Sequence, residues 1–116
     1  MEKKIKKIVW TYPAKNDLQD IYDYIAEFSE EAAFRVITGI LDKAEVLKGG
    51  FPGIGQKEPS LSHKTDIYRY LVEGNYKIIC RVKRNRVIID MVFDVRQNPD
   101  KMAEKIKQAT DLTSLS

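Results

Sequence analysis

One cysteine, one histidine and one tryptophan are all that 116 residues contain of those types, and no apolar run approaches the length of a membrane span. Each shortage removes a class of function. Cys80 alone forms no internal disulfide, which fits a reducing, cytoplasmic setting. Cys80 and His63 together cannot build a structural zinc site without carboxylates, so no metal is expected. The glycines around Gly49–Gly55 lack the preceding strand and following helix of a phosphate-binding fingerprint, and no cofactor is expected either. Met1–Lys7 is basic like the start of a signal peptide, but Pro13, Lys15, Asn16 and Asp17 interrupt before an apolar stretch develops. Neither secretion nor membrane contact is expected. A strong charge of one sign is missing too, since the net charge is only +3.

What is present points to one domain, assigned to residues 1–109, with 110–116 as a disordered tail. Ile67–Pro99 organises it. Three runs rich in β-branched and aromatic residues are separated by Glu73-Gly74-Asn75 and Arg84-Asn85, which predicts an antiparallel meander of two hairpins. On the middle run Tyr76, Ile78, Cys80 and Val82 share one face, and Lys77, Ile79, Arg81 and Lys83 the other. On the last run Val87, Ile89, Met91 and Phe93 fall together, against Ile88, Asp90, Val92 and Asp94. The alternation predicts a sheet covered on one side and largely open on the other. The open side collects Lys77, Arg81 and Lys83, within a stretch that also holds Arg69, Arg84, Arg86 and Arg96. Such a surface suits an anionic partner, and equally an ordinary solvated strand face.

Ile5 to Val9 forms a short first strand, with Ile8 and Trp10 on its second face. Pro13 suits the first turn of a helix, where its missing N–H costs nothing. Leu18, Ile21, Tyr22, Ile25 and Phe28 follow as an apolar stripe. Ser29 caps a second helix with Glu30 and Glu31 in its first turn, and Ala33, Val36, Ile37, Ile40, Leu41, Ala44 and Leu47 carry its stripe to Gly49-Gly50. The two helices form a hairpin whose apolar face packs on the covered face of the meander, each buried Ile or Leu contributing roughly 1.5–3 kcal/mol before entropy. Gly49 to Asp66 is a long loop, and Lys101 to Gln108 a short helix anchored by Met102 and Ile106. The class is α+β: an N-terminal strand and two-helix hairpin on an antiparallel β-meander, with a short C-terminal helix.

Catalytic constellations are scarce. Cys80, on the apolar strand face, reads as a small core residue, and His63 as a solvated loop residue rather than a general base. No pair of helical carboxylates has the spacing for general acid/base work. Tyr68, Tyr70 and Tyr76 read as packing or strand-pair residues.

The order strand, helix, helix, meander, short helix resembles the RelE/ParE superfamily of bacterial toxins, over about Ile5 to Met102. Local matches are Pro13-Ala14, Asp17-Leu18 and Ile21-Tyr22 in the first helix, and Phe51-Pro52 with Gly55 in the loop. Tyr68-Arg69-Tyr70-Leu71 and Tyr76-Lys77-Ile78-Ile79 match in the strands, and Arg96-Gln97-Asn98-Pro99 at the end of the meander is the most specific. The resemblance implies the toxin half of a type II toxin–antitoxin pair, active in growth arrest or plasmid stabilisation and silenced by a cognate antitoxin. Operator DNA would be reached only through that antitoxin. RelE-like members cut mRNA on the ribosome with clustered Lys and Arg plus a C-terminal Tyr or His; ParE-like members inhibit DNA gyrase. Here Lys77 and Arg96 match the cationic positions, no Tyr or His follows Arg96, and Asp94 stands where many relatives carry His. The ending looks more like the ParE branch. Arg69, Lys77, Arg81, Arg96 and Gln97 are the implied target-binding residues, and Lys77 and Arg96 the catalytic ones under the endoribonuclease alternative. A non-toxic interaction module of the same fold is the third reading.

Overall fold

The computed structural model describes residues 7–49 and 56–115, with side chains to residue 108. Strand β1 (Lys7–Trp10) leads into α1 (Tyr12–Ala26) and α2 (Glu30–Glu45), followed by a 3-10 turn, Val46–Gly49. β2 (Gln56–Lys57) and a second 3-10 turn, Pro59–Leu61, precede the meander of β3 (Arg69–Glu73), β4 (Tyr76–Lys83) and β5 (Arg86–Asp94). Helix α3 spans Lys101–Leu115. The expectations placed on Ile5, Phe51-Pro52 and Gly55 lie outside the described residues.

The five strands form one sheet in the order β1-β5-β4-β3-β2. β1 runs parallel to β5, and β2–β3, β3–β4 and β4–β5 are antiparallel, so the meander stands as expected. Gly74 takes φ +58° in the β3–β4 turn, where a side chain would be strained. Thr11 joins β1 to α1: its hydroxyl donates to Ile89 O at 2.7 Å and accepts from Ala14 N, capping the helix that Pro13 opens. Ser29 caps α2 in the same way, through Ala32 N.

The helices cover the face predicted for them. Ala14, Ile40, Ala44 and Leu47 meet Tyr76, Ile78, Cys80, Val87, Ile89 and Val92, with Trp10, Leu18 and Ile21 packed around them. The expected stripe overreached at Phe28, which is 78% exposed and meets the Tyr24 ring edge-on at 5.9 Å. It sits beyond the end of α1, past the last turn that faces the sheet.

The opposite face is not open. Ile79, Met91 and Phe93 join Leu61, Tyr68, Met102 and Ile106 in a second buried core beneath α3 and the Pro59–Leu61 turn. The cause is a bulge. Ile79 pairs with Met91 but Cys80 with Ile89, so Asp90 is an extra residue opposite no partner. One inserted residue inverts the alternation beyond it: Val87 and Ile89 face the hairpin, then Val92 does, while Met91 and Phe93 turn to the other core. The single-faced grouping of Val87, Ile89, Met91 and Phe93 is thereby corrected. α3 also continues past the expected Gln108 into the stretch read as a tail, and neither Gly nor Pro stands there to stop it.

Candidate functional site

The candidate contact residues do not form one surface. They separate into two clefts at opposite ends of β4, about 23 Å apart at the usual rise per strand residue, with Lys77 held between layers.

Lys77 leaves β4 on the face of the second core and meets Glu58, which the chain brings across from just after β2. Its Nζ donates to both Glu58 carboxylate oxygens, at 2.9 and 3.0 Å, and lies 4.2 Å from the centre of the Tyr70 ring. The Glu58 side chain is fully buried and Lys77 retains 23% exposure. Full burial of a carboxylate requires a partner of this kind.

Arg81 forks onto the bulged Asp90, with Nε and Nη2 at 2.9 and 3.1 Å from its two oxygens, and Nη1 reaches Asp66 at 3.3 Å. Burial raises the Asp90 carboxyl above its ordinary value despite the opposing pull of Arg81. Burial works against the Arg81 charge, but the hydrogen-bonded Asp90 outweighs it and the guanidinium stays firmly protonated. Arg69 and Arg81 line a cleft of about 470 Å³ with Asp66, Lys83 and Arg84, at the β4–β5 turn.

Arg96 and Gln97 line the other cleft, about 390 Å³, between α1, the end of β5 and α3. Arg96 Nε and Nη2 donate to the two Asp94 oxygens at 2.9 and 2.7 Å, and its backbone N–H donates to the same carboxylate. That hydrogen bonding holds Asp94 below the usual carboxylate range and lifts Arg96 further above its own. Tyr24 and Tyr76 line the same cleft. Burial, then the Asp94 charge, pushes the Tyr76 phenol up. Deeper in, Asp17 accepts from Val92 N and Lys105 Nζ, both at 2.9 Å, tying α1 to β5 and α3. Burial raises the Asp17 carboxyl, Lys105 opposing.

Sequence reasoning missed Asp17, Tyr24 and Lys105 here. Asp17 and Lys105 stand 88 positions apart and only the closed fold brings them together. Spacing within α1 does place Asp17, Asp20, Ile21 and Tyr24 on one side, the one signal available beforehand. The Cys80 thiol is buried and pushed up to about 12, so at neutral pH it is an unreactive core group, and His63 sits exposed on its loop. Among the described residues no three His, Cys, Asp or Glu side chains cluster to hold a metal ion. No helix among them is long and apolar enough to cross a membrane.

A family model described as the ParE toxin of the type II toxin–antitoxin system parDE matches residues 8–99. A solved structure described as the chromosomal ParDE TA system from P. aeruginosa superposes with a TM-score of 0.64 at 22% identity. The match covers 78% of this chain and 97% of that one, a likeness of fold. No curated protein matches the chain.

Proposed function

The chain belongs to the ParE toxin family of type II toxin–antitoxin systems, and from that premise we propose that it arrests growth in the cytoplasm by inhibiting DNA gyrase and is neutralised by a cognate antitoxin. The observation that carries the gyrase reading is the occupation of its cations. Cleaving RNA without a metal requires cationic groups that meet the phosphate in the transition state, and a poised acid and base. Lys77 is taken by the buried Glu58 and Arg96 is clamped by both oxygens of Asp94. A carboxylate so placed repels the phosphate that Arg96 would have to receive. A protein surface read by an enzyme–DNA assembly makes no such demand.

Arg96 and Gln97, on the rim of the smaller cleft, are assigned to the target contact. Arg69 and Arg81 belong to the other end of the sheet. Lys77 contributes by fixing the sheet through Glu58. The ribosome-dependent endoribonuclease is the second reading, favoured by Tyr24 and Tyr76 standing beside Arg96. The raised Tyr76 phenol counts against it, since a general base works best near ambient pH.

Purified protein is added to a supercoiling reaction and, separately, to translating ribosomes with labelled mRNA. Inhibited supercoiling with intact message supports the proposal. Codon-specific cleavage that Arg96→Ala lowers by about 10²–10³-fold would replace it with the second reading. Co-expression with the product of an adjacent short reading frame should restore growth and yield a stable complex if that product is the antitoxin.

A further inference from the structure

The β4–β5 turn concentrates three unfavourable local features. In register, Lys7 of β1, Arg86 of β5 and Lys83 of β4 stand side by side, a row of like charges crossing three strands. Directly opposed like charges destabilise a strand pair. Arg84 and Asn85, the two turn residues, have φ of 52° and 63°, the geometry that favours Asn-Gly and strains an arginine. Arg69 and Arg81 lie in the adjoining cleft, where Asp66 is shared between Arg81 and Lys83. Among the described residues Lys7, Arg84 and Arg86 have no ion pair. Local rules broken together at one place point to a demand other than folding.

We infer that this end of the sheet is a contact for the sugar–phosphate backbone of duplex DNA, made by the toxin chain itself. Adjacent strands stand about 4.8 Å apart, so the row presents three exposed cations over about 10 Å. Guanidinium groups, which Arg84 and Arg86 supply, match phosphate oxygens in fork geometry. Among the described residues no aromatic side chain lines the cleft, so these residues offer no platform on which unpaired bases would stack. The same lack of aromatic anchors disfavours a protein partner. Contacts of this kind position a protein on a duplex without reading its sequence. The choice of DNA over double-stranded RNA rests on the gyrase reading.

The test is fluorescence anisotropy of the purified full-length chain with a labelled duplex of arbitrary sequence, between roughly 50 and 200 mM salt. Each lost phosphate contact lowers the slope of log affinity against log salt by about 0.9, so Arg84→Ala/Arg86→Ala should flatten it by about 2. Arg84→Gly should flatten it by about half as much while the melting temperature stays level or rises, because glycine suits the turn. Lys15→Ala/Lys43→Ala on the helices should leave the slope unchanged. An unchanged slope in the Arg84/Arg86 variant, or an equal loss in the helix control, overturns the inference. So does tighter binding by single-stranded RNA, by duplex RNA or by polyglutamate than by duplex DNA. Supercoiling is a separate readout: binding that obeys these slopes without inhibition keeps the contact and removes the gyrase proposal alone.

Discussion

Removing the charge of Lys77 while keeping its length, as in Lys77→Met, should damage the fold before it damages any target contact. Glu58 is fully buried and both its oxygens are met by Lys77 Nζ, at 2.9 and 3.0 Å. Without the ammonium the buried carboxylate loses the charge that Lys77 sets against it, which costs about 3–5 kcal/mol. The residual exposure of Lys77 admits some water and favours the lower end. Against a total stability of about 5–15 kcal/mol for a domain of this kind, that is a large share. At about 4 °C per kcal/mol the melting temperature falls by about 12 °C or more. With an m-value near 2 kcal/mol/M, the urea midpoint drops by about 1.5 M. Trp10, packed against the core under the helices, reports the transition by its fluorescence. Asymmetry sharpens the test: Glu58→Gln should cost less, since Lys77 can turn its charge toward water, and Lys77→Met/Glu58→Leu should recover most of the loss. If Lys77→Met unfolds within about 1 kcal/mol of the parent and still abolishes toxicity, a mutational effect that small belongs to the surface rather than to a buried pair. Lys77 would then be a target contact and the structural account of it wrong.

Ile79→Asp should be as destructive as Ile78→Asp, because both faces of β4 are buried; an Ile79 variant with cooperative, parent-like melting would restore the open-face reading. Asp17→Ala leaves Val92 N and Lys105 without their acceptor and should cost about 1–3 kcal/mol, read by chemical denaturation. Carboxyl NMR titration should place Asp17 and Asp90 above the ordinary aspartate value of 3.8 and Asp94 below it. The linkage signs then differ. As pH falls from the raised folded values of Asp17 and Asp90 toward 3.8, the folded state binds the proton first and gains stability. Below 3.8 the contribution of Asp94 is lost as pH falls through its depressed folded value, and Asp94→Asn should remove that part of the acid limb.

Much of this architecture is legible in the residues. The hairpins follow from the breaks at Gly74 and Arg84-Asn85, and the helix-facing side of β4 from the alternation of Tyr76, Ile78, Cys80 and Val82. The second core is not legible, because Ile88-Ile89-Asp90-Met91-Val92-Phe93 reads as an unbroken strand whichever residue is the extra one. A bulge leaves no mark in composition; it is fixed by what packs on each side. The ionic partners are hidden for a different reason. Glu58 meets Lys77 across 19 positions, and Asp66 meets Arg81 across 15, by way of a loop whose path no local pattern encodes. Charge counted along the chain therefore overstated the positive potential of the sheet, since Lys77, Arg81 and Arg96 each have a carboxylate in place.

The bulge also decides which face the contacts at the far end of β5 lie on. With unbroken alternation Asp94 would share the face of Ile88 and Asp90, and Phe93 would share that of Ile89. The extra residue exchanges them: Phe93 turns under α3, and Asp94 comes opposite Tyr76 on the side of α1. There Asp94 fixes Arg96, and the pair closes one wall of the cleft that Tyr24 and Asp17 line from α1. Upstream of the bulge nothing is exchanged, so Arg81 and Lys83 keep the face their spacing gives them and run out to the strained turn at Arg84. A single inserted residue thus turns Met91 and Phe93 into the second core and Asp94 toward α1, while the length of β4 keeps the two groups of cations at opposite ends of the sheet. At one end Arg96 is neutralised by Asp94 beside two phenols; at the other Lys7, Arg84 and Arg86 have no ion pair among the described residues. Two ends so different in charge are suited to different partners.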